Sequence, residues 1–259
     1  MNNDLISKFN NDGFLIAKDL IDKNEIKNVT LNIKKTFDHV LGSVGSSPGV
    51  DLKESMQRLF DVSIEKYLAV TSSLWRKQVV SDFLNFPSIR NYLFDNFGWR
   101  DIYLPGGQVA HVMGDKLKIP GGYYGISVHQ DWPSVGGSRD GLVIWIPLMD
   151  VDQNNYPLEV IAGSHKYGMY PLKGDEHSPW EIDPKSYAVN EFEAVKVQEG
   201  DVIFMSYFTV HRTGLCSKGD GSFRIALSTR YDNADEESFI QRGYPTAYTR
   251  SVNRILNDK

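Results

Sequence analysis

From about Asp101 onward, short β-prone runs alternate with Gly, Pro, Asp and Asn turns, and this texture constrains the fold more than any other feature. The expected strands cover 108–113, 125–129, 142–149, 158–161, 194–197, 202–205 and 223–231. Many short strands separated by frequent turn signals indicate a sandwich or a barrel. The preceding residues read differently. Gly13-Phe14-Leu15-Ile16 is one brief apolar run, and Asp22 or Asn24 can then cap a helix. Its Ile26, Val29, Ile33 and Phe37 recur at spacings of three and four and so share one face. A second helical region is expected over roughly 52–78, and a third from Pro87, suited to a first turn, to Gly98, suited to a stop. Helices followed by strands imply helices packed on an outer face of a β core. The 259 residues are expected to form a single domain, helical over about 1–100 with its β core over about 101–232.

Composition narrows the function classes. The net charge of -5 lacks the clustered Lys and Arg that phosphate-backbone binding requires, so no nucleic-acid partner is expected. No stretch is apolar enough to span a bilayer, and no apolar leader segment follows Met1. The single cysteine, Cys216, excludes an intrachain disulfide and is compatible with a reducing compartment. A cytoplasmic protein is the expectation.

The chemistry concentrates in Ser127-Val128-His129-Gln130-Asp131-Trp132. In a strand, residues two apart point to one face, so His129 and Asp131 would present an imidazole and a carboxylate together, with Gln130 pointing away. His211, just past the apolar run 202–205, is the best third ligand. Two histidines and one carboxylate leave three adjacent positions of an octahedral metal open, as in non-haem Fe(II) oxygenases. The tripeptide alone is a weak signal: His129 could be a satisfied core histidine and Asp131 the start of a turn before Pro133. Arg224 adds weight. It sits among Phe223, Ile225 and Leu227, where a guanidinium is costly unless it meets an anion, and its planar fork suits a carboxylate. Fe(II), one carboxylate, a dianionic 2-oxoglutarate and one arginine sum to zero charge. An edge-strand arginine facing solvent is the bland alternative.

Taken in order, several blocks resemble the phytanoyl-CoA dioxygenase-like family of Fe(II)/2-oxoglutarate oxygenases over most of the chain. They are Asn11-Asp12-Gly13-Phe14-Leu15-Ile16, Lys118-Ile119-Pro120-Gly121 before His129-Gln130-Asp131, Trp145-Ile146-Pro147-Leu148 with Asp150, Gly163-Ser164-His165, Glu199-Gly200-Asp201-Val202, His211 and Phe223-Arg224. The resemblance implies a mainly β fold: a double-stranded β-helix, a jelly-roll or cupin-like core flanked by N-terminal helices. It implies that His129, Asp131 and His211 bind iron, that Arg224 holds the distal carboxylate of 2-oxoglutarate, and that Thr213 assists. Trp145 would wall the cosubstrate pocket and Gln108 would reach it from a neighbouring strand. Dioxygen is the co-reactant, and hydroxylation of an unactivated C–H bond, with succinate and carbon dioxide as coproducts, is the expected outcome. His165 reads as structural, whereas His111 could face the pocket or pack.

Two other readings use the same residues: a Zn-dependent hydrolase on the triad, and a non-catalytic jelly roll that binds a small ligand. The loop Pro133-Ser134-Val135-Gly136-Gly137-Ser138-Arg139-Asp140 and the irregular stretch 168–192 are expected to shape the substrate pocket. Their Arg139, Asp140, Lys173 and Asp175 point to a polar small molecule.

Overall fold

The computed structural model describes residues 3–104, 106–119, 124–174, 180–215, 219 and 221–247; Pro120, Gly121, Asp175 and Cys216 lie outside them. Helix α1 (Asn3–Asp12), which the sequence reading did not anticipate, ends where Gly13 takes φ 81 and returns its N–H to the Phe9 carbonyl. A side chain on Gly13 would strike His165 and Thr209, so this turn needs glycine on two counts. Strand β1 (Phe14–Ala17) follows, then α2 (Lys23–Ser43), which Asp22 caps through the Asn24 N–H. The apolar face of α2 is buried as its spacing requires.

The expected helix over 52–78 is broken. Helix α3 (Leu52–Val62) stops at Ser63, which is extended at φ -159, and the Ser63 side chain caps α4 (Ile64–Ser73). One polar residue thus ends one helix and starts the next. Helices α5 (Gln78–Leu84) and α6 (Pro87–Tyr92) complete the layer, and a π turn carries α6 on to Gly98 at φ 72.

The β core begins with β2 (Ile102–Tyr103) and β3 (Val109–Gly114), then a short helix α7 (Trp132–Val135). Next come β4 (Leu142–Pro147), β5 (Leu158–Val160), β6 (Glu193–Val195), β7 (Val202–Ser206), β8 (His211–Thr213) and β9 (Phe223–Asn233). The chain then enters α8 (Glu237–Gln241). The larger sheet runs β1-β7-β4-β9, with β3 and β2 on the far side of β9, all antiparallel. The smaller sheet is β6-β5-β8. The two form the expected curled double-stranded β-helix with helices on one face.

Alternation along the strands divides the core in two. Leu142, Ile144 and Ile146 of β4 and Val202 and Phe204 of β7 pack against the helices with Ile26, Ile33 and Phe37. Val143, Trp145, Ile203 and Met205 face inward toward Leu158, Val160 and Val195 of the smaller sheet. Each such buried side chain contributes about 1.5–3 kcal/mol. Strand β9 obeys the same rule: Ile225, Leu227 and Tyr231 face the helices, whereas Ala226 lies in the inner cluster. Arg224, Ser228 and Arg230 therefore point inward as well. With β3 on one side of β9 and β4 on the other, a solvent-facing Arg224 is excluded, and it is 2% exposed. No helix among the described residues is long and apolar enough to cross a membrane.

Candidate metal centre

His129 and His211 face each other as a hydrogen-bonded antiparallel pair, each backbone N–H donating to the other's carbonyl at 3.0 Å. Residues directly opposite across such a pair share a face, and the two rings lie 4.1 Å apart between centroids. Nδ1 of His129 is 2.8 Å from the Ser127 carbonyl, and Nδ1 of His211 is 2.9 Å from that of Thr209. A carbonyl only accepts, so Nδ1 carries the proton in both rings and Nε2 presents a lone pair. Burial, and then the neighbouring His211, push the His129 imidazole down to about 3, so it is neutral at physiological pH.

Asp131 reaches the same place by a different route from the one the sequence suggested. The run 125–129 is not a strand; only His129 forms bridges, to His211 and to Glu181. The chain then turns, and Asp131 adopts a right-handed conformation, φ -76 and ψ -28, immediately before α7. Turn geometry, not strand alternation, brings the carboxylate beside the imidazoles. Gln130 does point elsewhere. It is fully buried and donates to the Gly168 and Phe208 carbonyls while accepting from the Tyr170 N–H, tying three segments behind the site.

The three side chains offer ligand atoms that all lie within 4.8 Å of one another, and all three residues are buried. Oδ2 of Asp131 is 3.2 Å from Nε2 of His211. Two ligands at right angles on one ion with bonds of about 2.1 Å stand about 3 Å apart, so the spacing suits a shared metal. Burial alone would raise the Asp131 carboxyl, but the Arg230 guanidinium beside it holds it well below the usual carboxylate range.

The sequence did not reveal that Arg230 pairs with Asp131. Its Nε and Nη2 donate to Oδ1 of Asp131 at 2.9 and 2.6 Å. Its Nη1 donates to Ser228 Oγ at 3.1 Å and to the Gly107 carbonyl. The signal was present, since Arg230 shares the inward face of β9 with Arg224, but its carboxylate partner lies far away in the chain. His111 now has a definite place. It faces the cavity with Nε2 2.8 Å from Ser228 Oγ, and burial, then Arg224, keep it neutral. The neutral charge sum expected above omitted Arg230, which adds one positive charge.

A small cavity adjoins the triad. His129, His211, Thr213, Trp145 and Arg224 all line it. The Arg224 guanidinium carbon lies 5.5 Å from the Trp145 ring centroid, within cation–π range. Thr213 Oγ1 accepts from the Ile126 N–H at 3.0 Å. Gln108 does not join this group. It precedes β3 in register with Ala110 and Val112, the helix-facing residues, and lines an outer groove with Leu68, Thr71 and Trp75. Gln108 is thus the one expected cosubstrate contact that does not line this cavity. His165 is away from the triad, packed beside Phe9.

The loop 133–140 does not line the cavity either. Pro133 to Val135 belong to α7, Ser138 bonds Asp232 through both N–H and Oγ, and Asp140 accepts from Asn233. Within the stretch 168–192, Glu181 and Ile182 lie close to the centre. Glu181 bridges to His129, the Ile182 N–H donates to the Val128 carbonyl, and Lys173 pairs with Glu181 at 3.3 Å.

Comparison with known proteins agrees with this geometry. A family model described as Phytanoyl-CoA dioxygenase (PhyH) matches residues 9–217, which include His129, Asp131 and His211. The peroxisomal phytanoyl-CoA dioxygenase of Rattus norvegicus is 20% identical over 245 residues, spanning 88% of this chain and 67% of that protein. Among solved structures, the apo form of ThoJ, described as a non-heme monooxygenase, superposes with a TM-score of 0.59 at 18% identity, covering 88% of this chain and 77% of its own. SnoN, described as a non-heme alpha-ketoglutarate-dependent epimerase from nogalamycin biosynthesis, gives 0.58 at 15% identity, covering 90% and 83%. SnoK, described as a carbocyclase of the same biosynthesis, gives 0.55 at 17% identity, covering 93% and 90%.

Proposed function

Since the chain belongs to the phytanoyl-CoA dioxygenase family, we propose that it is an Fe(II)- and 2-oxoglutarate-dependent oxygenase that hydroxylates a C–H bond of a small molecule. The observation that carries this reading is the convergence of His129, Asp131 and His211 beside a cavity that Arg224 also lines. The donor set fits Fe(II): two imidazoles with Nε2 lone pairs, and a buried carboxylate whose Oδ2 has no hydrogen-bond partner.

When bound, the iron supplies the oxidising chemistry, using 2-oxoglutarate and dioxygen and releasing succinate and carbon dioxide. The protein's own residues do the rest. The Ser127 and Thr209 carbonyls fix the two imidazole tautomers. Arg224 would bind the distal carboxylate of 2-oxoglutarate through its planar fork, with Trp145 as a wall and the Thr213 hydroxyl nearby. Burial of all three candidate ligands limits competing water.

The Asp131 carboxylate favours hydroxylation over halogenation, because as a third protein ligand it would fill the position a halide needs. The relatives described as an epimerase and a carbocyclase mark how widely oxidative outcomes vary on this fold. The test is succinate release from 2-oxoglutarate under Fe(II) and air, screened against a panel of polar metabolites. Substrate-stimulated succinate with a product heavier by one oxygen is expected. Turnover of a substrate without dioxygen, sustained by Zn, would replace this reading with a hydrolase.

A further inference from the structure

The two donors of Arg230 that reach Asp131 both converge on one oxygen, Oδ1. The same guanidinium is held from behind by Ser228 Oγ and the Gly107 carbonyl, and Ser228 Oγ is in turn 2.8 Å from His111 Nε2. Arg230 is 8% exposed and Asp131 3%, so water does not compete for this pairing. Oδ2 is left facing the Nε2 of His211.

A carboxylate can bind a metal through one oxygen or through both. Bidentate binding would take a second coordination position and leave two for the remaining ligands. A 2-oxo acid that chelates through its carboxylate and keto oxygens needs two, and dioxygen needs a third. We propose that Arg230 is a positioning residue that keeps Asp131 monodentate: it occupies Oδ1, orients Oδ2 toward the metal, and so preserves three open positions. Arg224 and Arg230 stand on the same face of β9 but divide the work, Arg224 serving the tail of the cosubstrate and Arg230 the coordination number of the metal. Lysine would do this only in part, because a single ammonium on a flexible stem keeps the charge but lacks the paired, planar donors that approach Oδ1 from two nitrogens.

This inference rests on the triad being the metal site, and the test separates the two ideas. Anaerobic Fe(II) protein is titrated with 2-oxoglutarate and, separately, with pyruvate, which has the same 2-oxo acid head and no distal carboxylate. Wild type, Arg224→Lys, Arg230→Gln and Arg230→Lys are compared by visible charge-transfer absorbance, and Fe(II) content and circular dichroism are recorded on each. Arg224→Lys should weaken 2-oxoglutarate binding only. Arg230→Gln should weaken both ligands by tenfold or more while still binding Fe(II), and Arg230→Lys should recover part of the loss. Should Arg230→Gln fail to fold, the Arg230→Lys variant alone must weaken both ligands. Wild-type affinity for both ligands in a folded Arg230 variant, or weakening of 2-oxoglutarate alone, would overturn the inference. Absence of any 2-oxoglutarate-dependent band in the wild type would instead reject the proposed function.

Discussion

Replacing Arg224 by lysine keeps the positive charge at the inner face of β9 and removes the fork. Arg224 is 2% exposed and lies between β3 and β4, so neither solvent nor a neighbouring strand offers the lysine a second route to the same ligand. The general attraction for an anion survives. What goes is one of two parallel charge-assisted hydrogen bonds to the distal carboxylate, worth about 1.5–3 kcal/mol. The dissociation constant for 2-oxoglutarate should therefore rise about ten- to a hundredfold. Iron affinity should hold, because the candidate ligands are His129, Asp131 and His211. The assay is an anaerobic titration of the Fe(II) protein with 2-oxoglutarate, followed by visible absorbance, with metal content measured on the same samples. Coincident curves for wild type and Arg224→Lys would refute the anchor. Arg230 cannot then simply take its place, since its guanidinium is already committed to Asp131, Ser228 and Gly107.

Three further outcomes are expected. His129→Ala and His211→Ala should lose turnover and keep the fold, but Asp131→Ala should also lose about 3–5 kcal/mol of stability by leaving Arg230 buried without its carboxylate. Urea denaturation checks this, and equal stability of Asp131→Ala and His129→Ala would count against the Arg230 pairing. Burial raises the Asp232 carboxyl to about 6, above its unfolded value near 4, so the native state binds that proton more tightly than the unfolded chain. Wild type should accordingly lose stability relative to Asp232→Asn as pH rises from about 4 to about 6, with a constant difference above that; a flat difference in melting temperature throughout would show that Asp232 is not perturbed. Finally, mass spectrometry of turnovers run with chloride should detect hydroxylated and no chlorinated product, because Asp131 fills the position a halide would need.

Local signals served the sequence reading well, and contacts between distant segments were the limit. The face of α2, its Asp22 cap and the Gly98 stop were legible because capping and periodicity act within a few residues. The break at Ser63 was missed because the apolar pattern continues through it, while a single side chain ends one helix and caps the next. Helix α1 was missed because it packs only a narrow apolar face. The convergence of His129, Asp131 and His211 was foreseen, although the reason offered for the first two, strand alternation, was not the one the chain uses. Gln108 lines an outer groove with Ala110, a placement that its position before β3 did not reveal. The pairing of Arg230 with Asp131 joins residues that no local pattern links. The loop 133–140 looked like a pocket wall because of its polar residues, yet those residues bond to the end of β9 and to Glu236 just beyond it.

The most direct test of the centre is an anaerobic crystal structure of the protein with Fe(II) and 2-oxoglutarate. The expected result is one metal ion held by Nε2 of His129, Oδ2 alone of Asp131 and Nε2 of His211, with the distal carboxylate of 2-oxoglutarate on the Arg224 guanidinium. A metal bound elsewhere, or a 2-oxoglutarate whose distal carboxylate rests on a different basic residue, would contradict the account.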